Sequence, residues 1–221
     1  MHREKPPPVT VESIRNAHRE RRDAIQLRLA EFEDVRRAAS DERLWEELVF
    51  CIFTAGASAR MGLRSVEAVR PLLAAGTHEE LAGALTGRHR YPRSRSGYIV
   101  VTREHLRESC AMRLRDRLES FADPVERREW LARTRDIKGI GYKESSHFLR
   151  NVGYRGYAIL DKHILRSLAE LGVVESPDPP TTRARYLATE ERLRDFAKGV
   201  GIDFDELDLV LWSMKTGEIL K

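Results

Sequence analysis

The segment Arg43–Thr54, RLWEELVFCIFT, is apolar on nearly every face a helix could present. A helix of that kind is buried in the middle of a bundle, so the surrounding chain must supply other helices to cover it. Val11–Ala39 carries Ile14, Ile25, Leu29 and Phe32 among many charges, the pattern of an amphipathic helix. Ser65–Leu73 and His78–Leu85 read as short helices, Gly87–Arg95 (GRHRYPRSR) as a basic turn, and Tyr98–Ser109 and Ala111–Phe121 as further helices. Asp123-Pro124 opens a helix through Arg133, because proline suits a first turn. A hairpin-like stretch at Ile137–Tyr142 leads to a helix at Lys143–Asn151, which Gly153–Gly156 breaks. Asp161 caps a helix to Leu171, Ser176–Thr182 is a Pro-rich loop, and Arg183–Gly199 and Asp205–Met214 are helical. No segment alternates as a strand would, and no repeat is visible. The expected fold is all-α: one unit over residues 1–221, built of two interleaved helical lobes, with 1–10 as a flexible leader.

With 221 residues, 41% apolar and 33% charged, the chain can bury a core and is not disordered. A net charge of +4 suits a polyanionic partner without demanding one. The makeup of that charge says more, since 32 of the 39 basic residues are Arg, whose planar fork matches phosphate. Two cysteines, Cys51 and Cys110, cannot hold a four-Cys zinc or iron–sulfur site, nor a disulfide framework. No apolar run approaches the ~18 residues of a membrane span, and MHREKPPP lacks an apolar signal core. These features point to a cytoplasmic protein without a membrane partner.

Chemistry concentrates in Ile137–Leu165, IKGIGYKESSHFLRNVGYRGYAILDKHIL. Gly139-Ile140-Gly141 lies between two helical patterns. Glycines there permit a tight turn that exposes successive amides at a helix start, where amides and dipole together attract a phosphate. Lys143 follows the turn, and Asp161 and His163 follow after an 18-residue gap that fits one helix and a loop. This GxGxxK hairpin with its Asp-x-His pair resembles the helix-hairpin-helix base-excision DNA glycosylases, with the motif at about 131–151. Within that superfamily the chain is most similar to the small 8-oxoguanine DNA glycosylase/lyases of the second type. The similarity rests on GIGYKESSHFLRNVGYRGYAILDKHIL, on HRYPRSRSGYI and on the ending LWSMKTGEILK, and spans roughly Leu44 to Lys221. The endonuclease III branch usually carries a four-Cys cluster near its C-terminus, and this chain has no Cys after Cys110.

The resemblance implies a Lys Schiff base on Lys143, a carboxylate at Asp161 that supports chemistry at the sugar, and β-elimination of the 3′ phosphate. It implies that the carboxylate of the terminal Lys221 reads the edge of the base. Trp212 and Tyr91 are candidates to sandwich an extruded purine, as aromatics do. Gly139, Gly141, His163, Arg90 and Arg93 are candidates to bind DNA phosphate, with the other arginines of Arg88–Arg95. The partner implied is double-stranded DNA containing 8-oxoguanine, with no obligate protein partner. No cofactor is implied, although a structural monovalent cation could sit at the hairpin. The family tends to place a polar side chain in the turn after the buried helix; here that turn reads TAGAS, with Gly56. Arg60, Met61 and His89 are then the candidates to fill the space a flipped base leaves. His147 lies one turn past Lys143 on the same face and is either structural or near the site. Two other readings stay open: the same scaffold acting on another oxidised base, as endonuclease III does, and a DNA-binding hairpin module without catalysis.

Overall fold

The computed structural model of the chain describes residues 8–219, and these hold helices and turns with no strand. They comprise α1 (Val11–Ala38), α2 (Asp41–Thr54), α3 (Ala59–Val69), a short 3₁₀ turn at Arg70–Leu72 and α4 (His78–Leu85). Then come α5 (Pro92–Cys110), α6 (Leu114–Glu119), α7 (Pro124–Arg133), α8 (Tyr142–Asn151), α9 (Lys162–Glu170), α10 (Arg183–Val200) and α11 (Phe204–Thr216). The all-α expectation holds. None of these helices is long and apolar enough to cross a membrane.

The chain divides into two compact units, one from Phe32 to Tyr154 and one formed by the residues up to Glu31 with those from Arg155. In the Phe32–Tyr154 unit, α2 is the buried helix its composition requires. Leu48, Val49, Ile52 and Phe53 are fully buried, and α3, α5, α6 and α8 all pack on α2. Even Glu47 is buried, and Arg43 pairs with it at 2.5 Å. In the other unit α9 and α10 both pack on α11.

Several boundaries differ from expectation, each for a local reason. Residue Val9, inside the expected leader, is buried and donates its amide to Glu170 Oε2 at 3.0 Å, so order begins before Thr10. The Ser58 side chain accepts from the Met61 amide and starts α3 six residues early. Half of the expected basic turn is helix, because Pro92 takes the first position of α5. Ala111 and Met112 adopt left-handed backbone (φ 51 and 60), which ends α5 and shortens the next helix to Leu114–Glu119.

Candidate active site

The hairpin between α7 and α8 is held from below. Ile137 and Ile140 are buried, and the Lys138 amide donates to Thr102 Oγ1 at 2.9 Å. Gly139 has φ +73, and a Cβ there would lie 2.7 Å from Tyr98 Cδ2 and 3.1 Å from Arg95 Nη1. Only glycine meets both demands. Gly141 is the N-cap of α8 with extended backbone, and its amide donates to Glu144 Oε2 at 3.3 Å. Lys143 is the second residue of α8, its side chain 30% exposed, and its Nζ pairs with Glu144 Oε1 at 2.8 Å. Beneath this start lies Cys51. Burial pushes its thiol well above the ordinary range, and the nearby charges of Glu47 and Glu144 act in the same direction. That thiol is inert, which leaves Lys143 as the nucleophile candidate at the hairpin.

Asp161 sits in the other unit, at the end of a segment that has no regular structure and yet is buried. Tyr157, Ala158, Ile159 and Leu160 are all buried, so their backbone groups need partners other than water. Carboxylates of α10 and α11 provide them. The Gly156 amide donates to Asp205 Oδ1 at 2.9 Å, Ala158 to Glu190 Oε1 at 2.8 Å and Ile159 to Asp208 Oδ1 at 3.4 Å. Tyr186 joins them, its hydroxyl donating to Ala158 O at 2.7 Å. On this platform Asp161 caps α9, with Oδ1 accepting from the His163 amide at 2.7 Å and the Ile164 amide at 2.9 Å.

The remaining candidates are distributed over both units. Tyr91 is 41% exposed and belongs to the Phe32–Tyr154 unit, with the Arg90 guanidinium 5.1 Å from its ring centre. It lines an open groove of about 490 Å³ with His78, Thr86 and Arg93. Arg90 and Arg93 are exposed, whereas the Arg95 guanidinium donates to Ala55 O at the end of α2 and lies 5.3 Å from the Tyr98 ring. Arg95 is thus a structural member of the basic segment. Trp212 is half-buried on α11 in the other unit. His163, also there, has its imidazole held below the usual range by burial, with Asp161 opposing and Lys162, Arg166 and Lys215 reinforcing the effect. Lys221 lies outside the described residues.

Two of the proposed neighbours of the site are structural. His89 is buried, with Nε2 3.0 Å from Phe53 O and Nδ1 accepting from the Tyr91 amide at 3.0 Å. A ring fixed at both nitrogens cannot move into a DNA duplex, so His89 leaves the set of space-filling candidates. Arg60 is exposed and Met61 half-buried at the start of α3. His147 packs edge-on against Phe50, ring centres 5.6 Å apart, as a core residue does. Glu144 was missed. Its position three residues after the cap is the second half of a capping box, a signal legible in the sequence.

Comparison with known proteins fits this geometry. A family model described as 8-oxoguanine DNA glycosylase matches residues 25–202. The 8-oxoguanine DNA glycosylase/AP lyase of Korarchaeum cryptofilum is 44% identical over 201 residues, covering 90% of this chain and 91% of that protein. The crystal structure of the Methanocaldococcus jannaschii 8-oxoguanine glycosylase/lyase, in complex with a 15mer DNA containing 8-oxoguanine, superposes with a TM-score of 0.86. It is 38% identical, and the match covers 96% of this chain and 99% of that one. The 8-oxoguanine DNA glycosylase of Thermotoga maritima gives a TM-score of 0.85 at 34% identity, over 96% and 98% of the two chains. With its glycine turn, its lysine and its capped aspartate in place, this chain belongs to the 8-oxoguanine DNA glycosylase family of helix-hairpin-helix proteins.

Proposed function

We propose that the protein is a bifunctional DNA glycosylase/AP lyase that excises 8-oxoguanine from double-stranded DNA, with Lys143 as nucleophile and Asp161 as electrostatic stabiliser. The observation that carries the reading is the placement of Lys143, partly exposed at the start of α8, directly behind a turn whose amides suit a phosphate. The damaged nucleotide is rotated out of the duplex at a cost of a few kcal/mol in stacking and pairing. The neutral amine of Lys143 then bonds to C1′ as the glycosidic electron pair leaves on the base, which takes up a proton. Positive charge that develops on the sugar in this step is stabilised by the Asp161 carboxylate, already oriented by two amides. Proton transfer to the ring oxygen opens the sugar and gives a C1′ Schiff base. Loss of a C2′ proton then expels the 3′ phosphate.

Around this chemistry, Gly139, Gly141, Arg90, Arg93 and His163 bind phosphates, and Tyr91 and Trp212 flank the purine. Lys221 is the residue proposed to read the edge of the base. The scheme uses no cofactor, and a monovalent cation at the hairpin would be structural, taken by main-chain carbonyls of the turn. A nucleoid-associated, cytoplasmic location follows from the substrate. Borohydride trapping on duplexes carrying 8-oxoguanine, oxidised pyrimidines or no lesion tests the reading. The expected result is a covalent adduct on Lys143 from the 8-oxoguanine duplex. An adduct from oxidised pyrimidine alone would reassign the substrate, and the absence of any adduct would leave only a DNA-binding module.

A further inference from the structure

Glu144 uses both oxygens of one carboxylate, and the two contacts have different meanings. Oε2 accepts from the Gly141 amide at 3.3 Å, the ordinary service of an acid three residues past an N-cap. Oε1 lies 2.8 Å from Nζ of Lys143, its immediate chain neighbour. Adjacent residues on a helix do not face one another, so Lys143 must fold back to make this pair. The pair is also sheltered, with the Glu144 side chain only 15% exposed. The amide that Glu144 occupies is one of those assigned above to a DNA phosphate.

From this we infer that Glu144 is a latch on Lys143 that a DNA phosphate opens. The inference rests on the reading of the hairpin as a phosphate site and of Lys143 as nucleophile. With no DNA bound, the ion pair holds Lys143 on Glu144, folded back along its own helix. A phosphodiester at the turn competes for the Gly141 amide and repels the carboxylate, so Glu144 leaves both partners. Its hold on Nζ is then lost, and the Lys143 side chain is free to swing toward C1′. Glu144 is accordingly a positioning residue that acts through Lys143, and it keeps the amine from reacting with stray aldehydes.

The test uses a sugar that carries no phosphate. Free 2-deoxyribose with borohydride labels lysines through their Schiff bases, and mass spectrometry reads the adduct at Lys143 relative to Lys198, which is 68% exposed on α10. Glu144→Gln keeps a capping acceptor but removes the charge. It should raise the Lys143 to Lys198 ratio about fivefold, the scale of losing one partly exposed ion pair. Adding inorganic phosphate, with ionic strength matched by chloride, should raise the ratio in the wild type and leave it unchanged in E144Q. On 8-oxoguanine duplex, which opens the latch by itself, E144Q should trap no faster than wild type. Glu144→Asp, too short to span both contacts, should also raise the ratio and serves if E144Q does not fold. A ratio that stays level or falls in both variants, or a wild type indifferent to phosphate, would overturn the latch. So would an equal gain for E144Q on duplex, which would mean that DNA never releases the pair. Wild type that fails to trap on duplex would instead refute Lys143 as nucleophile, a different result from any of these.

Discussion

Lys143 and Asp161 both stand at the start of a helix behind a turn, yet the two regions hold them in opposite ways. Asp161 is fixed by two amides on its own helix, at the end of a segment whose backbone is tied to Asp205, Glu190, Asp208 and Tyr186. Lys143 is held by one ion pair with its neighbour, its side chain 30% exposed. The difference matches what the proposed roles ask of each group. A charge that stabilises a transition state acts best when it does not have to reorganise. A nucleophile must travel, since it forms a bond, stays attached while the sugar opens and is then released. Under the proposed roles, the fixed group is the stabiliser and the less constrained one the nucleophile.

The comparison breaks most sharply at Lys143. Lys143→Gln should abolish borohydride trapping and lower excision by at least about a thousandfold while duplex binding persists, the scale of losing a nucleophile. Trapping that survives in this variant would place the nucleophile elsewhere. Asp161 should separate into two functions. Asp161→Asn, which can still cap α9, should cut excision by about a hundredfold at nearly wild-type stability. Asp161→Ala should lose about 1 kcal/mol of stability in addition, measured by denaturant unfolding. If Asn preserves activity and Ala does not, the carboxylate is only a cap.

The turn in front of Lys143 offers a finer contrast between its two glycines. Gly139→Ala must place a Cβ 2.7 Å from Tyr98 at φ +73, and should cost about 1–2 kcal/mol and weaken duplex binding. At Gly141, where the backbone is extended and a Cβ would meet only Glu144 at 3.4 Å, alanine should be tolerated. Equal effects would mean that the backbone at Gly139 does not constrain the turn.

The smallest effect concerns pH. His163 in one unit and His89 in the other are both held below the ordinary value of 6.5, chiefly by burial. Folding thus favours their neutral forms. Their stabilising contribution is complete above pH 6.5 and is lost as pH falls below it, because the unfolded chain takes up protons first. The thermal midpoint should fall by about 2–4 °C between pH 7 and pH 5, and His89→Gln should reduce that slope. A flat profile would show that both rings protonate freely in the fold.

Much of this was legible in the residues. The α4 bounds His78–Leu85 follow from Thr77 and Glu80 as a capping box, and Asp123-Pro124 announces α7. The hairpin, Lys143 and Asp161 could be named because they are local in sequence. The platform under Asp161 could not, since its acceptors come from residues 26 to 49 positions away on other helices. Nothing in isolated Glu190, Asp205 or Asp208 marks them as partners of buried amides rather than surface charge. Arg95 misled for a related reason. A basic residue in a basic segment reads as a phosphate contact until the carbonyl it serves is seen.

Arg95 is one case of a habit that runs through the chain. Arg115 reaches Arg36 O and Ala39 O at the end of α1, Arg127 reaches Leu118 O and Phe121 O around the end of α6, and Arg103 reaches Gly76 O at 2.9 Å beyond the 3₁₀ turn. Arg107 joins Ala74 O, and Arg15 binds Val200 O at 3.3 Å where α10 ends. Helix ends leave their last carbonyls without partners, and a guanidinium, with five donors on a rigid plane, can close one end while rooted on another. Such bonds link positions as far as 191 residues apart, as between Arg28 and Ile219 O, in a chain whose cysteines are both free. They work as unreactive staples, indifferent to the redox state of their surroundings. Because Lys lacks the fork, exchanging Arg for Lys at these positions would leave the net charge untouched and unfasten the bundle at its seams.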